Sequence, residues 1–255
     1  MRFGVNGTLQ KALIGMELGY DYAEIPVSRL RSEGEESIEA LERAFYGKSF
    51  GAEAFNGFFP GEISIYDGGQ EAIRYGRENV DLARRLGTKI MVIGSGKARC
   101  VPETMSKNDA LCAFAEIVGS IAEEALPYGI RIAVEPLNYK ETNLINTLED
   151  CIGFSRMVKM ENVGTMVDFY HFAINRESFD VFKKLKPGEL IHVHVARPDE
   201  SRAAITMDDA PAIELWKSAL SSVGYDGMVT LEQRTGPDIY ADYRNALPAM
   251  KCLQA

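Results

Sequence analysis

Residues 190–196 read Leu190-Ile191-His192-Val193-His194-Val195-Ala196. In an extended chain alternate side chains point to opposite faces, so Ile191, Val193 and Val195 share one side and Leu190, His192 and His194 the other. A β-branched face backed by two imidazoles suits a strand that packs under a helix on one side and lines a polar interior on the other. The same division recurs in Arg131–Leu137, where Ile132 and Val134 oppose Arg131, Ala133 and Glu135. It recurs again in Met228–Gln233, where Val229 and Leu231 oppose Met228, Thr230 and Glu232. Each time the ionisable residue stands at the carboxyl end of its run.

Working outward, five further apolar runs complete a set of eight: Arg2–Asn6, Tyr22–Pro26, Ala52–Phe58, Lys89–Gly94 and Val163–Phe169 join the three above. Segments with three-to-four apolar spacing lie between them, including Gly69–Leu86, Asn108–Leu126, Thr147–Met160 and Asp209–Val223. Strand–helix alternation builds a parallel sheet, and eight such units in a chain of 255 residues predict a (β/α)₈ TIM barrel. No Pro/Gly/Ser linker or low-complexity tract divides the chain, so residues 1–255 are expected to form one domain. An open doubly wound sheet is the rival, but no GxGxxG follows the first run.

Four potential ligands fall at the ends of four successive runs with the same inward parity: Glu135, Asp168, His194 and Glu232. A barrel brings the carboxyl ends of its strands to one mouth, where its chemistry sits. Three carboxylates and one imidazole make an oxygen-rich site suited to Mn²⁺, with Mg²⁺ or Co²⁺ as alternatives. The chain has three histidines, His171, His192 and His194, all in the sixth and seventh units. His192 shares the parity of His194 one layer deeper, which predicts an interior histidine and not a fifth ligand.

At these residues the chain resembles the xylose isomerase-like family of sugar and sugar-phosphate isomerases and epimerases, and most closely its ketose 3-epimerase branch. Glu135-Pro136-Leu137-Asn138, followed by Glu141, is similar to the family's strand-five metal motif with its trailing carboxylate. Asp168-Phe169-Tyr170-His171 resembles the strand-six pair, His192-Val193-His194 the strand-seven HxH, and Thr230-Leu231-Glu232 the strand-eight ligand. The resemblance implies that Glu135, Asp168, His194 and Glu232 hold one divalent metal. It further implies that Glu135 and Glu232 act as acid and base on opposite faces of a sugar, and that Asn138, Glu141 and His171 meet the substrate.

The chain departs from the pattern in loop seven. Six residues beyond His194, where the epimerases place a substrate-binding arginine, stands Glu200, flanked by Arg197 and Arg202. Arg202 is expected to take the role, with Arg197 as rival. Glu24 ends the second run and Asn56 lies near the end of the third, so both are further candidates for substrate contact. Phe58 and Phe59 are candidates for an apolar wall beside the sugar, and Trp216 for the core. Gly94-Ser95-Gly96-Lys97 lacks the GxxxxGK[ST] spacing of a phosphate loop and reads as a βα turn.

Bulk composition narrows the functions. The formal net charge of -9 opposes phosphate backbones, which argues against a nucleic-acid partner and against the endonucleases that share this barrel. Cys100, Cys112, Cys151 and Cys252 are scattered without a CxxC, as in a reducing cytoplasm. No apolar run approaches membrane-spanning length. The reading that results is a cytoplasmic ketose 3-epimerase acting on a small sugar or sugar phosphate through a metal-stabilised enediolate. A homodimer or homotetramer is implied by the resemblance alone. The alternatives are an aldose–ketose or hydroxypyruvate-type isomerase, a keto-inositol dehydratase, and a non-catalytic sugar-binding barrel or subunit of an assembly.

Overall fold

Eight short strands pair in chain order, each parallel to the next, and the first returns to the eighth. They are β1 (Arg2–Asn6), β2 (Tyr22–Pro26), β3 (Ala52–Asn56), β4 (Ile90–Ile93), β5 (Arg131–Val134), β6 (Val163–Asp168), β7 (Leu190–Val195) and β8 (Met228–Leu231). The helices are α1 (Leu9–Glu17), α2 (Val27–Glu33), α3 (Glu35–Phe45), α4 (Gly69–Leu86), α5 (Lys107–Ala125), α6 (Leu148–Val158), α7 (Phe169–Ile174), α8 (Ala210–Ser222) and α9 (Ile239–Lys251). The computed structural model describes residues 1–67 and 69–254, and the (β/α)₈ barrel expected from the runs is the fold found. Among the described residues no helix is long and apolar enough to cross a membrane.

Two apolar clusters follow from strand alternation. The larger lies between sheet and helices and takes the outward residues Ile132, Val134, Val193, Val195, Val229 and Leu231. Within it Trp216 stacks on Phe169 with ring centroids 4.9 Å apart, so this tryptophan is core as expected. The smaller cluster fills the barrel itself with Tyr22, Ala54, Ile90, Val92, Ala133, Met166, Ile191 and Met228.

Ile191 corrects the parity drawn for β7. It sits inside the barrel, whereas Leu190 packs in the outer layer. The register explains this: Thr165 pairs with Leu190 but Met166 with His192, so β7 carries one extra residue, a β-bulge at Ile191. Gly164 on β6 makes room for it, because a Cβ there would lie 2.6 Å from Ile191 Cγ2. Above the bulge alternation resumes, and His192 and His194 both point inward.

Some runs end earlier than read. β5 stops at Val134, since Pro136 has no N–H with which to continue the ladder. β3 stops at Asn56, and Gly57 then turns the chain at a positive φ of 52°. Phe58 and Phe59 therefore lie beyond the strand. Both are buried, packed edge to face at 4.8 Å with Phe59 against Tyr75 of α4, so they support that helix.

Candidate metal centre and active site

Glu135, Asp168, His194 and Glu232 each present one ligand atom at the barrel mouth, and the four atoms lie within 4.8 Å of one another. His194 Nδ1 is 3.1 Å from Glu232 Oε2 and 3.5 Å from Glu135 Oε1. Backbone bonds continue the ladder just past the strand ends, Glu135 N–H donating to Ile93 and Glu232 N–H to Val195, so each glutamate is anchored at its Cα. Asp168 Oδ1 accepts the Tyr170 N–H at 2.8 Å, which leaves Oδ2 turned to the cluster.

Beneath this layer lies a second, wholly buried one. Glu24 accepts from His192 Nε2 at 2.7 Å and from His194 Nε2 at 2.8 Å. Thr230 Oγ1 donates to the same carboxylate at 2.6 Å and accepts from the Tyr22 hydroxyl at 2.8 Å. Burial opposes ionisation of Glu24, but the two histidines outweigh it and hold the carboxyl well below its ordinary range. Expected as a substrate contact, Glu24 is instead fully buried with both oxygens occupied, and it aims His194 Nδ1 at the mouth. Glu24, His192 and His194 also have the composition of a metal site. Their spacings are those of closed hydrogen bonds, which account for the group without an ion.

The upper layer is electrostatically split. Burial lifts the Glu135 carboxyl, His194 pulls it back, and nearby Glu232 pushes it up again, with a net rise. Burial would lift Glu232 too, but Arg202 and His194 bring it down to about 2. His194 itself is raised well above its ordinary value, because Glu24, Glu232 and Glu135 overcome its desolvation.

Of the two loop-seven arginines, only Arg202 reaches the cluster. Its guanidinium donates to Asp168 Oδ2 at 2.8 Å and to Glu232 Oε2, and lies 4.6 Å from the Tyr170 ring centroid. Arg197 instead pairs with Asp209 at 3.1 Å and makes no contact with the cluster. Glu200, in the place expected for an arginine, pairs with Lys140 across the rim at 2.7 Å. Asn56 lies at the cluster, where its Nδ2 donates to Glu232 Oε1 at 2.7 Å and orients the glutamate. His171 is buried beside Asp168 and Asn138 is buried against His171, and Glu141 accepts from Asn138 at 3.0 Å.

Two neighbours of Glu135 escaped the sequence reading. A Cβ on Gly94 would stand 2.1 Å from Glu135 Oε2, so the glycine at the end of β4 is the space in which that carboxylate sits. Arg99, 1% exposed in the following 3₁₀ turn, donates to the Glu135 carbonyl at 2.6 Å. The parity of Glu24 with Tyr22 was a usable signal for the layer below; neither Gly94 nor Arg99 offered one, because both act across a strand boundary.

The donor set fits a divalent cation. Glu135 Oε1 and His194 Nδ1 are buried without a hydrogen-bond partner among the described residues, although they face each other across the cluster. Such atoms are costly unless something pairs with them. Three carboxylates around one imidazole, backed by a carboxylate that orients the imidazole, match an oxygen-seeking ion.

Fold and site together define a class: parallel barrels whose C-terminal mouth carries a carboxylate–imidazole cluster of metal-ligand spacing. The chain belongs to the xylose isomerase-like TIM barrel family, whose model matches residues 15–251. It is 26% identical to D-psicose 3-epimerase of Ruminiclostridium cellulolyticum over 223 residues, 85% of this chain and 74% of that protein. It is 28% identical to ketose 3-epimerase of Arthrobacter globiformis over 140 residues, spanning 54% of this chain and about half (47%) of that relative's length. Inosose isomerase of Bacillus velezensis is 23% identical over 226 residues, 84% of this chain and 79% of that one. Among solved structures, D-psicose 3-epimerase with D-tagatose from Clostridium cellulolyticum superposes with a TM-score of 0.76 at 21% identity, covering 99% of this chain and 94% of the other. The IOLI protein with a bound zinc atom does so with a TM-score of 0.75 at 20% identity, covering 99% and 96%.

Proposed function

We propose that this chain is a metal-dependent ketose 3-epimerase. The observation that carries the reading is the pair Glu135 and Glu232, which approach one imidazole from β5 and β8 in opposed electrostatic settings. Inverting a carbon beside a ketone needs one group to take a proton and another, across the sugar plane, to return one. Two glutamates on strands on different sides of the mouth meet that need, Glu232 being held as a carboxylate by Arg202 and His194 while burial and nearby Glu232 shift Glu135 upward. Relatives named ketose 3-epimerase and D-psicose 3-epimerase support it.

Glu135, Asp168, His194 and Glu232 would hold the ion, Mn²⁺ in our reading. When bound, it supplies positive charge beside the oxygens that become negative as the proton leaves. The chain's own groups do the rest. Arg202 brings a second positive charge to the same edge and keeps Glu232 ionised. Asn56 holds the Glu232 carboxylate from its other oxygen, and Arg99 with Gly94 seats Glu135. His171 offers a ring nitrogen toward a substrate oxygen.

The test is proton exchange. Protein supplied with Mn²⁺ and incubated in deuterated water with D-fructose, D-tagatose and L-ribulose is expected to place deuterium at carbon 3. No exchange at carbon 3 across that panel and the corresponding phosphates would overturn the proposal. A cyclic keto-polyol is the second reading, favoured by the match to inosose isomerase over 84% of the chain. It predicts exchange beside the ring ketone of an inosose and none with open ketoses.

A further inference from the structure

Asn138 is 2% exposed, and its neighbours leave each of its polar groups one role. The Lys140 backbone N–H, 3.0 Å away, can only donate, so Asn138 Oδ1 must face it. The Glu141 carboxylate, 3.0 Å from Nδ2, can only accept, so the amide nitrogen must face that side. The amide orientation is thereby determined from two directions. Its remaining N–H lies 2.8 Å from His171 Nδ1, and the backbone N–H of Asn138 approaches the same nitrogen at 3.2 Å.

A ring nitrogen that meets two donors must itself accept, which requires it to be unprotonated. A neutral imidazole with a bare Nδ1 carries its proton on Nε2. Glu141 Oε1 stands 3.9 Å from Nδ1, too far to draw a proton there by hydrogen bonding. Nε2 is buried without a hydrogen-bond partner among the described residues, 3.5 Å from Asp168 Oδ2 and thus beside the metal-ligand cluster.

We propose that Asn138 is a positioning residue that fixes His171 as its Nε2–H tautomer, making His171 an obligatory hydrogen-bond donor to a substrate oxygen beside the cluster. The ligand at this point must offer an acceptor, a carbonyl, enediolate or hydroxyl oxygen. A group that can only donate, such as an ammonium, is rejected, because it would place donor against donor. The identity of that ligand as a ketose rests on the function proposed above; the tautomer does not.

The chain's three histidines make the test direct. Long-range ¹H–¹⁵N spectra of the Mg²⁺-loaded protein, with His171 assigned by its loss in His171→Asn, are expected to show Nδ1 bare and Nε2 protonated. Asn138→Asp keeps the shape but replaces the amide donor with an acceptor, so the proton should move to Nδ1. In the same variant kcat for carbon-3 exchange should fall about 100-fold, the scale of losing one aimed donor, while KM and Mn²⁺ affinity stay within about threefold. Asn138→Ala, should the aspartate variant fold poorly, is expected to raise Nδ1 protonation and lower kcat in the same direction by a smaller factor. A protonated Nδ1 in the unmodified protein, or a variant tautomer identical to the original, overturns the inference. A bare Nδ1 in a protein that exchanges no ketose would sink the epimerase reading and leave this assignment standing.

Discussion

Glu24 accepts the Nε2 protons of both His192 and His194, at 2.7 and 2.8 Å, from a position with no solvent exposure. The imidazole that faces the mouth is therefore oriented from below by a residue 170 positions away in sequence. Glu24→Gln puts an amide where that acceptor stood and weakens its hold on the ring. Mn²⁺ affinity, measured by calorimetry or by the free-ion signal in electron paramagnetic resonance, is expected to fall about 10- to 100-fold. Unchanged affinity would show that the ring is held by packing alone.

Glu135→Gln and Glu232→Gln preserve shape and remove the carboxyl proposed to carry the proton. Each is expected to lower carbon-3 exchange by about 10²- to 10⁴-fold. The pair should also be non-additive, because one proton transfer without its counterpart completes no inversion. A variant that keeps its turnover removes that residue from the proton path.

Gly94→Ala places a methyl group where Glu135 Oε2 lies, at 2.1 Å. Either the strand end or the carboxylate must move, at a cost of about 1–3 kcal/mol. Lower thermal stability together with weakened Mn²⁺ binding is the expected result. Wild-type metal affinity in this variant would mean that Glu135 does not need this seat.

His194 is held above its ordinary pKa by Glu24, Glu232 and Glu135 against the effect of burial. A cation that binds Nδ1 must displace a proton from it, so Mn²⁺ affinity is expected to rise with pH. Calorimetry in buffers of different ionisation enthalpy should report proton release on binding. For the histidine's own contribution to stability the sign is opposite: it is complete below about 6.5, the unfolded value, and is lost as pH rises through the higher folded value.

Glu177 gives a pH effect remote from the cluster. Burial lifts its carboxyl from 4.5 to about 7, although it accepts the Leu148 N–H at the start of α6. The folded chain thus holds this proton more tightly than the unfolded chain, and stability falls as pH rises from 4.5 through 7. Glu177→Gln, which cannot ionise and can still accept, should stabilise the protein by on the order of 1–3 kcal/mol at pH 8 and leave it unchanged near pH 4. Denaturant midpoints at the two pH values check this.

Strand identity and inward parity were legible in the sequence because they depend on a two-residue period, a property of the local chain. Glu135, Asp168, His194 and Glu232 could be selected on that basis, and barrel closure accounts for their meeting. Local periodicity also has a local failure: a bulge adds a residue without changing composition, so Ile191 was assigned to the wrong face while the histidines beyond it were not.

What only the tertiary structure decided were the partners. Asn56 reaches Glu232, Glu24 reaches two histidines, and Arg202 rather than Arg197 reaches the cluster, across separations of 176, 168 and 30 residues or more. Those contacts depend on how eight strands stagger and on which way a loop turns at Arg202, whose φ is 45°. Residue types and alternation determine which groups can face the barrel mouth. Only closure of the barrel determines which of them touch, since hydrogen bonds depend on distances in space that sequence separation does not encode.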